Sequence, residues 1–475
     1  SELVQLTLLR NATLQAAQLQ LQAAGSLVEA EAALYDPTAY GRVRREVVNR
    51  PRTYEERTAS LTNINDADAI ENLVNVGAGV RGKLPTGGSL DLSHDMRRRQ
   101  SNLLATPQER EYRGTVTLSF KQPLWRGYGR DAVEADLRVA DKERQIEQQR
   151  LLKQVLDLVG EAAGTYWQLQ RADQTQALRN EAVRAAEALR DEVQRRVAAG
   201  FAPRVELFEA ETLIGGRRTE AAKAEQQVVE VQARVRNLLS LDPVGERGAR
   251  PPAFRAEAAR FPAEFDAADE ALVAPPAQLV ERWPGFQMAR LRHEQEGVRL
   301  DLARNQEQPD LSFELGYNLN SLTSRSGKAY DGSIQNKHPG WSVGIVLERA
   351  IGNDGPRAKR DAQAARTEAA RLQADTEARV ARNEWAVRAS QLAAVRREVR
   401  QVRLEVASRQ ALLGAEREQY QLGRSRLRQL MEAQDRVDDA RLRQLDAEVR
   451  ERLAWISLQA ISGDLFDHYG VKIGA

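Results

Sequence analysis

Leu152–Leu169, LKQVLDLVGEAAGTYWQL, decides the fold. Leu152, Val155, Val159, Ala162, Tyr166 and Leu169 recur at spacings of three and four. Leu392, Val395, Val399, Val402 and Val406 repeat that rhythm far downstream. Such a seam belongs to helices that pack side by side and supercoil. Each seam sits in a proline-free stretch of 65 residues, Val133–Val197 and Ala358–Leu422. At ~1.5 Å per residue either helix is roughly 98 Å long, against an average helix of ~11–12 residues. Both stretches end in a glycine turn, Ala199-Gly200-Phe201-Ala202-Pro203 and Leu422-Gly423-Arg424-Ser425. A returning helix follows each turn, about 204–240 and 426–462. The expectation is two long antiparallel helical hairpins.

Working outward, four segments alternate instead. Leu90, Leu92 and Met96 stand between polar residues, a face broken by His94; Val116, Leu118 and Phe120 alternate with threonine and serine. Phe313, Leu315 and Tyr317 alternate with Glu314 and Gly316, and Trp341, Val343 and Ile345 with Ser342 and Gly344. Period two predicts strands with one apolar and one polar face, about 88–97, 113–122, 310–320 and 340–348. A soluble antiparallel sheet has this pattern. So do membrane-barrel strands, and the long polar loops Arg97–Arg113 and Ser321–Gly340 favour them. Four strands cannot close a barrel, and open edges are not tolerated in lipid. A membrane reading therefore requires several chains to share one barrel.

The chain reads as a duplication. Gly200 and Gly423 lie 223 residues apart, and at that offset Leu207-Phe208-Glu209-Ala210-Glu211 aligns with Leu430-Met431-Glu432-Ala433-Gln434. The repeats are 1–240 and 276–475, joined by an irregular connector, 241–275, containing Pro243, Pro251, Pro252 and Pro262. Helices of ~33 residues, about 2–34 and 276–308, precede the strands of each repeat. With each return helix they match the span of one long helix.

Composition excludes much. The chain has 475 residues, a net charge of +2, 29% charged residues and no cysteine. Disulfides, thiolate zinc sites and cysteine nucleophiles are ruled out. Near-neutral charge gives no case for nucleic acid. Mean hydropathy is −0.56. No stretch reaches the ~18 apolar residues of a spanning helix. Residues 1–20 lack a basic head followed by an apolar core, so any export signal is expected to have been removed or never to have existed. Gly127-Tyr-Gly129-Arg-Asp-Ala132 fits a dinucleotide fingerprint but leads into a long helix with no returning parallel strand. His94, His293, His338 and His468 have no ligand spacing. The expectation is no enzyme, no cofactor and no metal.

Several stretches carry a family resemblance. They are Val116-Thr-Leu-Ser-Phe-Lys-Gln-Pro-Leu-Trp-Arg-Gly127, Ala163-Gly-Thr-Tyr-Trp167, Gly200-Phe-Ala-Pro203, Tyr420-Gln-Leu-Gly423 and Pro309-Asp-Leu-Ser-Phe313. In order and in both halves, the chain resembles the TolC-like outer-membrane efflux proteins. The stretch Leu73–Lys83 is longer than that pattern and reads as an extra strand or a loop.

The resemblance implies a mixed α+β fold, mostly α. A homotrimer would share a twelve-stranded β-barrel in the outer membrane of a Gram-negative bacterium and carry a periplasmic α-helical barrel. It implies a passive duct that docks to a periplasmic adaptor and an inner-membrane pump of RND, ABC or MFS type. Eleven residues would face outer-membrane lipid: Leu90, Leu92, Val116, Leu118, Phe120, Phe313, Leu315, Tyr317, Trp341, Val343 and Ile345. The periplasmic aperture would involve Glu432, Gln429 and Tyr420, with three Glu432 carboxylates favouring cations. The tips Gly200, Phe201, Ala202, Pro203, Gly423, Arg424 and Ser425 would meet the adaptor. Plainer readings stand beside these. Glu432 also fits a solvated helix face, as Asp435, Asp438 and Asp439 are expected to be. Tyr420 also fits interhelical packing in place of a latch, and Phe201 burial between hairpins. The competing function is a soluble periplasmic coiled-coil adaptor or scaffold.

Overall fold

The computed structural model describes residues 2–59, 67–103, 109–241, 254 and 275–470. Nearly all of the connector, including its four prolines, lies outside the described residues. Helices α1 (Glu2–Arg10) and α2 (Ala12–Ala32) come first, followed by strand β1 (Thr38–Pro51), helix α3 (Tyr54–Ala59) and strands β2 (Asp68–Lys83), β3 (Ser89–Ser101) and β4 (Glu111–Pro123). Helices α4 (Arg130–Val133), α5 (Ala135–Ala198) and α6 (Arg204–Leu238) form the first helical series. The second half runs α7 (Leu279–Arg282), α8 (Pro284–Glu307), β5 (Asp310–Thr323), α9 (Ser326–Ile334), β6 (Pro339–Glu348), α10 (Asp354–Gln421), α11 (Leu427–Ser462) and α12 (Leu465–Tyr469).

The two compact units are not the two sequence repeats. One comprises Ser1–Gln22, Ile146–Ala289 and Gln373–Ala475; the other comprises Ala23–Gln145 and Arg290–Leu372. Each draws on both halves of the chain, and α5 and α10 contribute to both.

The first unit is helical. The seam read from the sequence builds its core: Val155, Val159 and Ala162 of α5 pack with Val4, Leu14, Ile456 and Leu465. The corresponding seam residue Leu392 packs with Trp385, Leu458 and Ile461. The long N-terminal helix expected at 2–34 is broken at Asn11, which caps α2 by accepting from the Leu14 N–H at 3.1 Å. The Asn11 amide donates to the Leu238 carbonyl at 3.0 Å, so the end of α6 meets this break.

Both hairpin tips close by the same hydrogen bonds. Gly200 and Gly423 have φ of +77° and +72°. Gly200 N–H donates to Val197 O at 3.1 Å and Phe201 N–H to Arg196 O at 2.8 Å. The offset of 223 maps these onto Gly423 to Tyr420 at 3.0 Å and Arg424 to Gln419 at 2.9 Å. This is a Schellman cap, in which a left-handed residue follows the helix; glycine is there for that backbone. The repeat is thus visible at hydrogen-bond level.

The second unit is built on one antiparallel sheet with strands in sequence order, β1-β2-β3-β4-β5-β6. This corrects the expectation of four strands. Leu73–Lys83 belongs to β2, and β1 precedes it. The pairing of β2 with β3 extends from Glu71–Ser101 to Lys83–Ser89. A second difference is α9, a helix in what reads as a polar loop.

Candidate functional site

The sheet register decides which side chains share a face. Leu92, Leu118, Tyr317 and Trp341 form one row, and Leu90, Phe120, Leu315 and Val343 the next. Phe313 pairs with Ile345, and Val116 with His94 and Leu319, on the same face. All eleven strand residues singled out above therefore lie on one side. Trp341 is 76% exposed and Ile345 69%.

The opposite face is charged. Arg42 pairs with Asp95 at 2.6 Å, Lys121 with Glu314 at 3.0 Å, and Arg99 with Glu71. Apolar on one side and ionic on the other is the pattern of a barrel wall between lipid and water.

His94, the polar break in the apolar face, is covered by α9. Its Nε2 lies 3.1 Å from Ser333 Oγ and its ring 5.1 Å from that of Tyr330. The same helix sits over Gly114, where an added Cβ would be 2.6 Å from the Ala329 carbonyl oxygen. His94 and Gly114, a polar and a small position of the apolar face, are thus masked by a helix that sequence pattern did not reveal.

Gly127 and Gly129, the false fingerprint, have a packing role. With φ of +79° and +91°, they carry the chain from β4 towards α5. The turn between β2 and β3 docks there: Gly129 N–H donates to Thr86 O at 3.1 Å. A Cβ on Gly87 would lie 2.1 Å from Gly127 O. No phosphate cradle is needed to explain these glycines.

At the helical tips the predicted residues separate. Phe201 is 79% exposed, so within one chain it is not buried between hairpins. Val205 and Phe208 are each 63% exposed and follow it at helical spacing. Gln429 is a cap: its Oε1 accepts from the Arg426 N–H at 3.1 Å, opening α11. Glu432 is exposed and meets Arg436 loosely at 3.5 Å.

Tyr420 is 2% exposed, packed with Val193, Leu427 and Leu430. The Arg196 guanidinium lies 4.5 Å from its ring centroid, and Arg196 Nη1 donates to the Tyr420 carbonyl at 3.2 Å. Burial pushes its phenol pKa up, with Arg196 opposing. Tyr420 thus ties α10 to α5 through its ring and backbone.

Of the two aspartates expected on a solvated face, Asp435 is half-exposed and Asp438 is nearly buried. Both pair with Arg217 of α6, Asp438 at 3.1 Å, and the Arg217 and Asp438 side chains are only 11% and 12% exposed. Burial holds both carboxyls above the ordinary value of 3.8, with Arg217 opposing. The sequence signal lay in Arg217, an arginine among small residues on the facing helix. Asp439 is exposed, as expected. Further along, Arg396–Glu451 at 3.3 Å and Arg403–Glu448 at 3.1 Å form an ionic layer beside buried Arg452. Burial lowers the Arg452 pKa, with Glu451 and Glu448 opposing.

Among the described residues, no helix is long and apolar enough to cross a membrane, which says nothing of a strand wall. No cluster of three metal-ligating side chains occurs among them either.

A sheet with two such faces, carried by a chain of long helical hairpins, defines a channel-forming class of protein. The family model for outer membrane efflux proteins matches residues 86–240 and 276–464. The chain belongs to the outer membrane efflux protein family. Solved structures agree in fold. CusC is similar over 97% of this chain and 91% of its own, at 17% identity and a TM-score of 0.67. The outer membrane protein VceC of Vibrio cholerae is similar over 97% and 95%, at 14% identity and 0.67. The MtrE outer membrane channel of Neisseria gonorrhoeae, solved in an open state, is similar over 97% and 88%, at 15% identity and 0.64. No curated protein matches the chain.

Proposed function

We propose that this chain is one subunit of a homotrimeric, passive exit duct in the outer membrane of a Gram-negative bacterium. The observation that carries the proposal is the sheet: apolar on one face, ionic on the other, with β1 and β6 each paired on one side only among the described strands. Unpaired edges are not tolerated in hydrocarbon, so the sheet needs further copies to close. A soluble scaffold would leave Trp341, Val343 and Ile345 facing water, which disfavours that reading.

The duct transports by shape and charge, with no chemistry of its own. Cargo reaches it through a periplasmic adaptor coupled to an inner-membrane pump of RND, ABC or MFS type. The exposed Phe201, beside Gly200, Ala202 and Pro203, offers the adaptor an apolar contact, with Gly423, Arg424 and Ser425 at the second tip. Gating occurs where the second hairpin, α10–α11, leans on the first, α5–α6. Arg196–Tyr420, Arg428–Glu209 at 3.1 Å and Arg217–Asp438 hold them together. Each contact is exchangeable: the largely exposed Arg428–Glu209 pair contributes at most about 1 kcal/mol and the buried contacts a few, so adaptor binding can offset their loss. Three exposed Glu432 carboxylates near the axis would make the closed entrance prefer cations.

The test is conductance. Purified protein added to a planar lipid bilayer should give discrete, cation-selective steps. Protein that enters the bilayer without conducting, or never enters it, would contradict the duct.

A further inference from the structure

We propose that the β1–β2 hairpin is part of the barrel wall, so that three copies close eighteen strands by pairing β1 of one copy with β6 of the next. The inference rests on the trimeric duct proposed above and changes its barrel. Four strands per copy would give twelve; the structure has six in one continuous sheet.

Beside the apolar rows of β3–β6 the hairpin carries the same two faces; further along, the outward face of β1 turns polar at Arg45 and Asn49. Ala39 and Val80 extend the row of Leu92, Leu118, Tyr317 and Trp341, while Val43 and Val76 continue from Met96. Val43 is 77% exposed. On the other face Arg42 reaches across β2 to Asp95, and Tyr40 Oη donates to Asp91 at 3.0 Å.

Those two reaches depend on Gly77 and Gly79. A Cβ on Gly77 would lie 2.1 Å from Asp95 Oδ1, and one on Gly79 2.7 Å from the Tyr40 ring. The glycines of β2 open slots through which β1 is tied to β3 on the polar side. The turn after β2 is held by Gly127 and Gly129, as described above. A hairpin locked at its face and at its turn belongs to the wall.

Closure follows from strand direction. With six antiparallel strands, β1 and β6 run oppositely. A ring that joins β6 to the next β1 therefore stays antiparallel throughout. A twelve-stranded ring would instead need the edge of β3 that β2 already occupies. The family match begins at residue 86, so the hairpin lies outside the matched segments. With strands ~4.8 Å apart and tilted ~40°, eighteen strands give a backbone radius of ~18 Å, against ~12 Å for twelve.

The natural absence of cysteine makes the test direct. Cysteine pairs are placed on outward positions of β1 (Val43→Cys or Val47→Cys) and β6 (Val343→Cys, Ile345→Cys or Leu347→Cys). Leu92→Cys on β3 with the same β6 positions is the competing set. Membranes are treated with a short thiol crosslinker. Within one chain β1 and β6 lie five strand spacings apart, ~24 Å, so only links between copies form. The expected result is covalent dimers and trimers from at least one β1–β6 pair and none from the Leu92 pairs. Crosslinks from Leu92 with silent β1 pairs would overturn the proposal and leave a twelve-stranded duct standing. Silence from both sets in a trimer of confirmed mass would also overturn it. A protein with no trimer in detergent would fail the duct reading itself.

Discussion

Replacing Arg217 by alanine should loosen the second hairpin from the first. Arg217 and Asp438 are nearly buried, whereas the Asp435 side chain is 50% exposed. Removing one partner of a buried ion pair costs ~3–5 kcal/mol, because the other charge stays desolvated. The half-exposed Asp435 adds only ~0–1 kcal/mol, as exposed pairs do. Two features reduce the total. Asp438 keeps a hydrogen bond from the Gln434 amide at 3.0 Å, and burial already disfavours its charged form in the parent protein. The net expectation is a loss of about 2–3 kcal/mol for Arg217→Ala. Adding Asp438→Asn removes the stranded carboxylate and should recover about half of that. The assay is thermal unfolding of the detergent-solubilised single and double variants, treated as a double-mutant cycle. Planar-bilayer recordings run alongside, where Arg217→Ala should open more often. A loss below about 0.5 kcal/mol, or a double variant no better than Arg217→Ala, would refute the reasoning.

Other outcomes follow from the same geometry. Tyr420→Phe keeps the ring under Arg196 and should leave stability and conductance nearly unchanged, while Tyr420→Ala should cost about 3–5 kcal/mol in unfolding experiments. An increase in conductance for the phenylalanine variant would restore a latching role to the hydroxyl. Because burial raises the Asp438 pKa, its charged form opposes folding at neutral pH. That cost begins above 3.8 and grows as pH rises to the folded-state value. The melting temperature of Asp438→Asn relative to the parent should therefore fall as pH falls through this window; a rise instead would show the sign to be wrong. Ile345→Lys places a charge on the apolar face, and ~2–4 kcal/mol at mid-membrane depth should reduce the assembled fraction seen by native electrophoresis. Gly423→Ala should cost about 1–2 kcal/mol, since φ is +72° there; unchanged melting would mean that the cap is not strained.

The helices and four of the strands were legible because their periods are clean. Leu152–Leu169 keeps three-four spacing, and its residues do build the core around Val159. Strand β1 was hidden because its outward face carries Arg45 and Asn49 among the valines. Strand β2 was legible only as an extra strand or a loop at Leu73–Lys83, because adjacent Leu73 and Val74 break alternation and Gly77 and Gly79 are poor strand formers. Those glycines make sense only once Arg42 and Tyr40 are seen reaching past them, a contact between strands that one-dimensional pattern does not contain. The same limit applied at the tips. Gln429 reads as an aperture residue and Asp438 as a solvated one, yet Gln429 caps its own helix and Asp438 meets Arg217 from a different one.

The most direct test of the central claim is the mass of the particle purified in mild detergent, with a parallel preparation in buffer alone. The account predicts a trimer that requires detergent, because three copies must close the sheet and shield its apolar face. A monomer or dimer that stays in solution without detergent would contradict it.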